Sequence, residues 1–160
     1  AYHICSNMIY LFYLQRLMFN WQTDLWKIFI RVSMIHRIER YFQYSDERGS
    51  IEGLIQSGVW KEINLIISDK DCIRGRHYHK KTIELFIVLE GTVEVTTQTI
   101  INDVLTEDIG KNLVHEGDVF LIYPNILHTF HTKTDAKWIN ALSEPIINET
   151  PDIHYLQKNI

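Results

Sequence analysis

His77 and His79 stand two residues apart, Glu84 follows five residues later, and His128 lies well downstream, just after Pro124. Residues i and i+2 of a strand point to the same face, so His77-Tyr78-His79 sets two imidazoles side by side in an extended segment. Glu84 opens an apolar run on the face shared with Phe86 and Val88, and a short turn at Lys80 to Thr82 would bring it back beside the pair. Three imidazoles and one carboxylate converging from three strands can hold a divalent metal. Imidazoles that are neutral near pH 7 offer lone pairs that a metal takes up and that an apolar core has no use for. Such a set leaves open positions on an octahedral ion, room for a keto oxygen beside a hydroxyl or an enolate. The ion would then act as a Lewis acid as the carbon next to the ketone loses its proton. A general base must reach that carbon with a pKa near working pH, and a His fits. A His that ligates metal cannot also be a free base, so His77 is either a ligand or the base of a metal-free site.

The competing reading of a His-x-His pair is two exposed side chains on an edge strand. His115 and His131 are isolated in sequence, and by strand parity His131 faces away from His128. His3, His36 and His154 lie outside the constellation. Arg74 and Lys81 are candidates to bind a diphosphate or carboxylate; Lys81 shares parity with the His pair if that strand extends so far. The alternative for both is solvated surface charge.

The elements that would position these residues are short strands. From Ile35 onward, extended runs alternate with turn residues. Asp46-Glu47-Arg48-Gly49-Ser50 is a turn signal. Residues 59–68 place Ile63, Leu65 and Ile67 on one face. Residues 84–89 end at the tight turn Glu90-Gly91, and 92–101 alternate with Val93, Val95, Thr97 and Thr99 together. Residues 118–123 are broken by Pro124-Asn125, and 127–132 and 137–142 complete the series. This pattern predicts an antiparallel all-β sandwich or barrel. A parallel sheet would need crossover helices, for which there is no room.

The N-terminal stretch differs. Up to Gln43 there is no Gly or Pro, and Leu11, Leu14, Met18, Trp21, Leu25 and Ile28 recur at spacings of three and four. That predicts an amphipathic helical extension over residues 1–34, ahead of a barrel domain over 35–160. It would pack on the domain, bind a partner or lie on a membrane; alternatively Met34 is the natural start.

At 160 residues, 46% hydrophobic and 22% charged, the chain can bury one domain's core. A net charge of −4 gives no electrostatic footprint for nucleic acid. No apolar run approaches the ~20 residues of a membrane span. The two cysteines, Cys5 and Cys72, form no disulfide framework and suit a reducing, cytoplasmic setting.

The histidine constellation resembles the cupin superfamily. Its first motif places His-x-His, then Glu, then Gly, and His77-Tyr78-His79, Glu84 and Gly91 meet those spacings, with Gly75 close before. Gly117, Pro124 and His128 answer to its second motif, with one extra residue before Pro124, no Gly after it, and the His one residue early. The resemblance spans residues 41–142. It implies a double-stranded β-helix, or jelly-roll, with His77, His79, Glu84 and His128 as metal ligands and Zn, Fe, Mn or Ni as the ion.

A narrower likeness lies in Asp46-Glu47-Arg48-Gly49-Ser50 and in Arg74-Gly75-Arg76-His77-Tyr78-His79-Lys80. These are similar to the cupins acting on nucleotide-linked 4-keto-6-deoxy sugars, the 3,5-epimerases and 3,4-ketoisomerases of cell-surface polysaccharide synthesis. In both, the His after Arg-Gly-x is the catalytic base, which implies that role for His77. The epimerases carry Gln where His79 stands and an acid Tyr shortly after the second motif, where this chain has Trp138 and no Tyr before Tyr155. The ketoisomerases carry Gln where Glu84 stands. The metal-binding cupin domains of capsule-synthesis reductases show a similar His-Tyr-His…Glu pattern, so a metal site is favoured over a metal-free one. The resemblance implies a nucleotide-sugar isomerase or epimerase working as a homodimer. The alternatives are a metal-dependent dioxygenase and a non-catalytic small-molecule sensor, since fold alone does not choose among them.

Overall fold

The structure is a computed structural model and describes residues 34–147 and 149–156. The helical extension expected over residues 1–34 lies, all but Met34, outside the described residues. Among the described residues, eleven strands run β1 (Ile35–Arg37), β2 (Phe42–Asp46), β3 (Gly49–Gly53), β4 (Glu62–Ser68), β5 (Ile73–His77), β6 (Glu84–Glu90), β7 (Thr92–Ile101), β8 (Val104–His115), β9 (Val119–Ile122), β10 (Ile126–Thr132) and β11 (Ala136–Leu142). They form a five-stranded sheet in the order β1-β9-β6-β11-β4, a four-stranded sheet in the order β5-β10-β7-β8, and the β2–β3 hairpin. Every pairing is antiparallel. The expected all-β jelly-roll is what the chain folds into.

Alternation decides what lies between the sheets. Phe86 and Val88 of β6, Phe120 and Ile122 of β9, Trp138 of β11, Val93 and Val95 of β7, Val114 of β8 and Phe130 of β10 are buried in one cluster. Phe86 sits between Phe120 and Phe130, at ring-centroid separations of 5.0 and 4.9 Å. Trp138 stacks on Phe130 at 6.1 Å. These rings form a solid floor under the more polar end of the same strands, where Glu84, His128, Thr97 and Asn140 are buried.

Glu90-Gly91 turns between β6 and β7 as expected. Gly91 has φ 87°, and a Cβ there would come within 2.2 Å of the Asp135 carbonyl oxygen, so only glycine fits. The expected face of Ile63, Leu65 and Ile67 exists on β4, and it is the outer one; the three are 67%, 57% and 61% exposed. Sequence pattern gave no sign of β8. Its burial, with Gly110 and Val114 covered among exposed residues, does not alternate cleanly because the strand forms the sheet's edge.

Candidate metal and acid–base site

The site lies at the polar end of the barrel. Glu84 enters it from the first position of β6, opposite Ile122 of β9. His128 enters from β10, directly opposite His77 of β5 and Thr97 of β7. A bulge aims His77. Between His128 and Thr129 the β5–β10 register shifts, and Gly75 and Arg76 both have positive φ, 81° and 60°. The extra residue re-aims the strand end, as bulges do. A side chain at Gly75 would place its Cβ 2.8 Å from the His128 carbonyl oxygen.

The second histidine turn is built without the expected glycine. Asn125 takes the left-handed conformation at φ 62°, which Asn tolerates better than most residues. Its N–H donates to the His79 carbonyl at 2.7 Å, which ties the approach to His128 to the loop of His79.

His77, His79, Glu84 and His128 come together as the spacing predicts. One ligand atom from each lies within 4.8 Å of all the others. The ring centroids are 5.0 Å apart for His77 and His79, 4.6 Å for His77 and His128, and 5.6 Å for His79 and His128. His79, Glu84 and His128 are buried and His77 is half-buried, so the open side of the cluster is at His77. Tyr155 meets His77 edge-on there, with 5.9 Å between centroids, and is itself 66% exposed.

Hydrogen bonds fix which nitrogens face inward. His128 Nδ1 donates to the Ile126 carbonyl at 3.0 Å, and His79 Nδ1 donates to the Asp152 carbonyl. A carbonyl only accepts, so each Nδ1 carries a proton and each neutral ring presents its Nε2 lone pair to the interior. Those Nε2 atoms lie 3.1 Å (His128) and 3.4 Å (His79) from Glu84 Oε2. All three atoms are buried and make no hydrogen bond. Three acceptors converging without a donor fit a bound cation.

Electrostatics agrees with that fit. Burial, helped by His128 and His79 and opposed by Glu84, brings the His77 pKa down to about 4. Burial also lowers His128, against the pull of Glu84. For Glu84 burial pushes upward, but His128 and His79 outweigh it and hold the carboxyl below its ordinary value. Burial opposes the charged form of His79, yet Glu84 and the Asp152 carbonyl outweigh it and raise its pKa.

The two candidate substrate-binding cations have other partners in the structure. Arg74 Nε donates to the Ser68 hydroxyl and its Nη2 to the Ile67 carbonyl at 3.1 Å, which commits the guanidinium to bridging β5 and β4. β5 ends at His77, so the parity that would set Lys81 beside the His pair does not extend to it. Lys81 is exposed, and its main-chain N–H donates to Asp152 at 2.8 Å.

Three site residues escape sequence reasoning. Asn140 donates to Glu84 Oε1 at 3.3 Å. The fully buried Thr97 hydroxyl, opposite His128, has no hydrogen-bond partner. Asp152 holds the Lys80 to Thr82 turn. Only the inward parity of Thr97 with Val93 and Val95 signalled one of them.

A family model described as the polysaccharide biosynthesis C-terminal domain matches residues 44–137, more than half of the chain and all four clustered residues. The chain belongs to the polysaccharide biosynthesis C-terminal domain family. No curated protein matches the chain. Solved structures similar to this family member share its fold at low identity. QdtA, a sugar 3,4-ketoisomerase from Thermoanaerobacterium thermosaccharolyticum, is 21% identical with a TM-score of 0.59, over 76% of this chain and 88% of that one. The dTDP-4-dehydrorhamnose 3,5-epimerase from Sulfolobus tokodaii is 17% identical with a TM-score of 0.60, over 72% and 73%. The capsular polysaccharide assembling protein CapF from Staphylococcus aureus is 22% identical with a TM-score of 0.53, and the 72% of this chain that matches spans 32% of CapF. The family member's fold is thus that of the sugar-nucleotide epimerase-like cupins. Among the described residues, no helix is long and apolar enough to cross a membrane.

Proposed function

We propose that this chain is a metal-binding cupin that isomerises or epimerises a nucleotide-linked keto-deoxy sugar in cell-surface polysaccharide synthesis. The observation that carries the reading is the convergence of His79 Nε2, His128 Nε2 and Glu84 Oε2, buried and without donors, beside His77. A divalent cation such as Zn, Fe, Mn or Ni, held by His77, His79, Glu84 and His128, would supply Lewis-acid stabilisation of negative charge on a substrate oxygen.

The chain's own residues do the rest. The two Nδ1–H bonds to carbonyls keep the Nε2 lone pairs turned inward, and Asn140 holds Glu84 with one oxygen toward the rings. His77 is read as a ligand: with a pKa of about 4 it stays neutral at working pH, and it is a weaker base than neutral-pH proton abstraction calls for. Tyr155 brings a phenol to the open side of His77. Fold and family support the substrate class, since QdtA has been crystallised with TDP and a variant of it with TDP-4-keto-6-deoxyglucose. The same reading carries a cytoplasmic location and, as the resemblance implies, a homodimer, which light scattering would show as twice the chain mass.

Two measurements test it. Elemental analysis of protein purified without added metal should find close to one divalent ion per chain, lost in His79→Ala. In heavy water with TDP-4-keto-6-deoxyglucose, deuterium should enter carbon 3 alone for ketoisomerisation, or carbons 3 and 5 for epimerisation. Glu84→Gln should suppress this exchange in a metal-dependent site and spare it in a metal-free one. A parent protein that exchanges no deuterium overturns the enzymatic reading.

A further inference from the structure

We infer that Asp152 is a positioning residue for the metal-facing imidazole of His79, an inference that rests on the metal-binding reading above. The two inward-facing rings are oriented by different means. The carbonyl that accepts from His128 Nδ1 belongs to Ile126, two residues away in the same strand, so the orientation of His128 is local. The carbonyl that accepts from His79 Nδ1 belongs to Asp152, 73 residues away. The inward aim of His79 therefore depends on how the segment around Asp152 is held.

It is held from both sides of His79. After the histidine, the Asp152 carboxylate accepts from the Lys80 N–H at 3.0 Å, the Lys81 and Thr82 N–H groups at 2.8 Å, and the Thr82 hydroxyl at 2.8 Å. Before it, Tyr78 and His154 exchange main-chain hydrogen bonds at 3.0 and 2.9 Å. His154 Nε2 closes the frame on Asp152 Oδ1 at 3.0 Å. One residue thus caps the turn with its side chain and, through that cap, sets its own carbonyl against the ring. Ring donation to such a carbonyl selects the tautomer and rotation of a metal ligand, and loss of such a partner weakens metal binding by roughly 10–100-fold. The family match ends at residue 137, so Asp152 and His154 lie beyond the stretch that the family pattern describes.

The test measures Zn(II) affinity of the full chain by chelator competition, together with the visible spectrum of the Co(II)-loaded protein. Asp152→Ala should bind Zn(II) about 10–100-fold more weakly and show an altered Co(II) spectrum while circular dichroism reports intact strands. Asp152→Asn, which keeps the size and one acceptor oxygen, should fall between that variant and the parent; it serves alone if Asp152→Ala does not fold. A folded variant with parental affinity and an unchanged Co(II) spectrum overturns the inference and leaves the metal reading standing. A parent that binds neither ion overturns both.

Discussion

Asn140 of β11 donates its side-chain amide to Oε1 of Glu84 on β6 at 3.3 Å, from a position diagonal to it on the inner face of the sheet. One oxygen of the only carboxylate in the cluster is thereby spoken for, and the other faces two imidazoles.

Asn140→Leu keeps the volume and removes the donor. Oε1 is then buried without a partner, at a cost of about 1–3 kcal/mol. Urea unfolding of the metal-free protein should report the loss, and Zn(II) affinity should fall because the carboxylate is free to rotate. A variant as stable and as tightly binding as the parent would show that Glu84 is held by other means.

Gly75→Ala places a Cβ 2.8 Å from the His128 carbonyl oxygen at a φ of 81°. The left-handed conformation alone costs about 1–2 kcal/mol, and the contact forces β5 away from β10 at the pair His77–His128. Thermal unfolding should drop by several degrees and metal affinity should fall with it. Gly49→Ala is the control: it also has positive φ, but a Cβ there meets nothing within 4 Å, so the strain comes without damage to the site.

Metal-free protein should lose stability on acidification from about pH 6.5 toward pH 4. The folded chain releases the His77 proton at about 4, whereas an unfolded His does so at roughly 6.5. Between those values the unfolded state holds more protons, so stability falls as pH is lowered through the window and levels off below it. His79, raised by Glu84, acts in the opposite sense; its contribution is present below ~6.5 and fades as pH rises through its folded value. Asp152, held below the ordinary carboxylate range, loses its contribution only below ~3.9. Urea midpoints of the parent and His77→Gln, measured from pH 4 to 7, should diverge with pH. Parallel profiles would place the His77 titration elsewhere.

A chain beginning at Met34 should fold and bind metal like the full chain. The described core starts at Ile35, which pairs with Ile122, and the Thr99 hydroxyl donates to Met34 Sδ at 3.4 Å. Circular dichroism and Zn(II) affinity of the shortened chain would check this; insoluble or metal-free material would show that residues 1–33 are needed.

His77, His79, Glu84 and His128 were legible because their spacing is set by one strand end, one turn and one proline. The inner faces of β6, β7, β10 and β11 were legible because alternation is a local property. Asn140 and Asp152 were not, since their bonds to the site span 56 residues and about 70 and carry no periodicity. The bulge at Gly75-Arg76 also left no pattern, although Gly75 stands close before the His-x-His pair. The bonds of Arg74 to Ser68 and Ile67 were not legible either, because its guanidinium meets the junction of two sheets, a contact that becomes visible only when both sheets are assembled.

The aromatic floor under Glu84 and His128 has a kinetic consequence. Phe86, Phe120, Phe130 and Trp138 are buried and packed ring on ring, and His77 is the half-buried member of the cluster, so a substrate of the proposed reaction would reach the site, and its product leave it, on the His77 side. In the proposed reaction, product would have to clear that side before fresh substrate enters. It should therefore act as a competitive inhibitor, and late in a progress curve turnover should slow more than depletion of starting material accounts for.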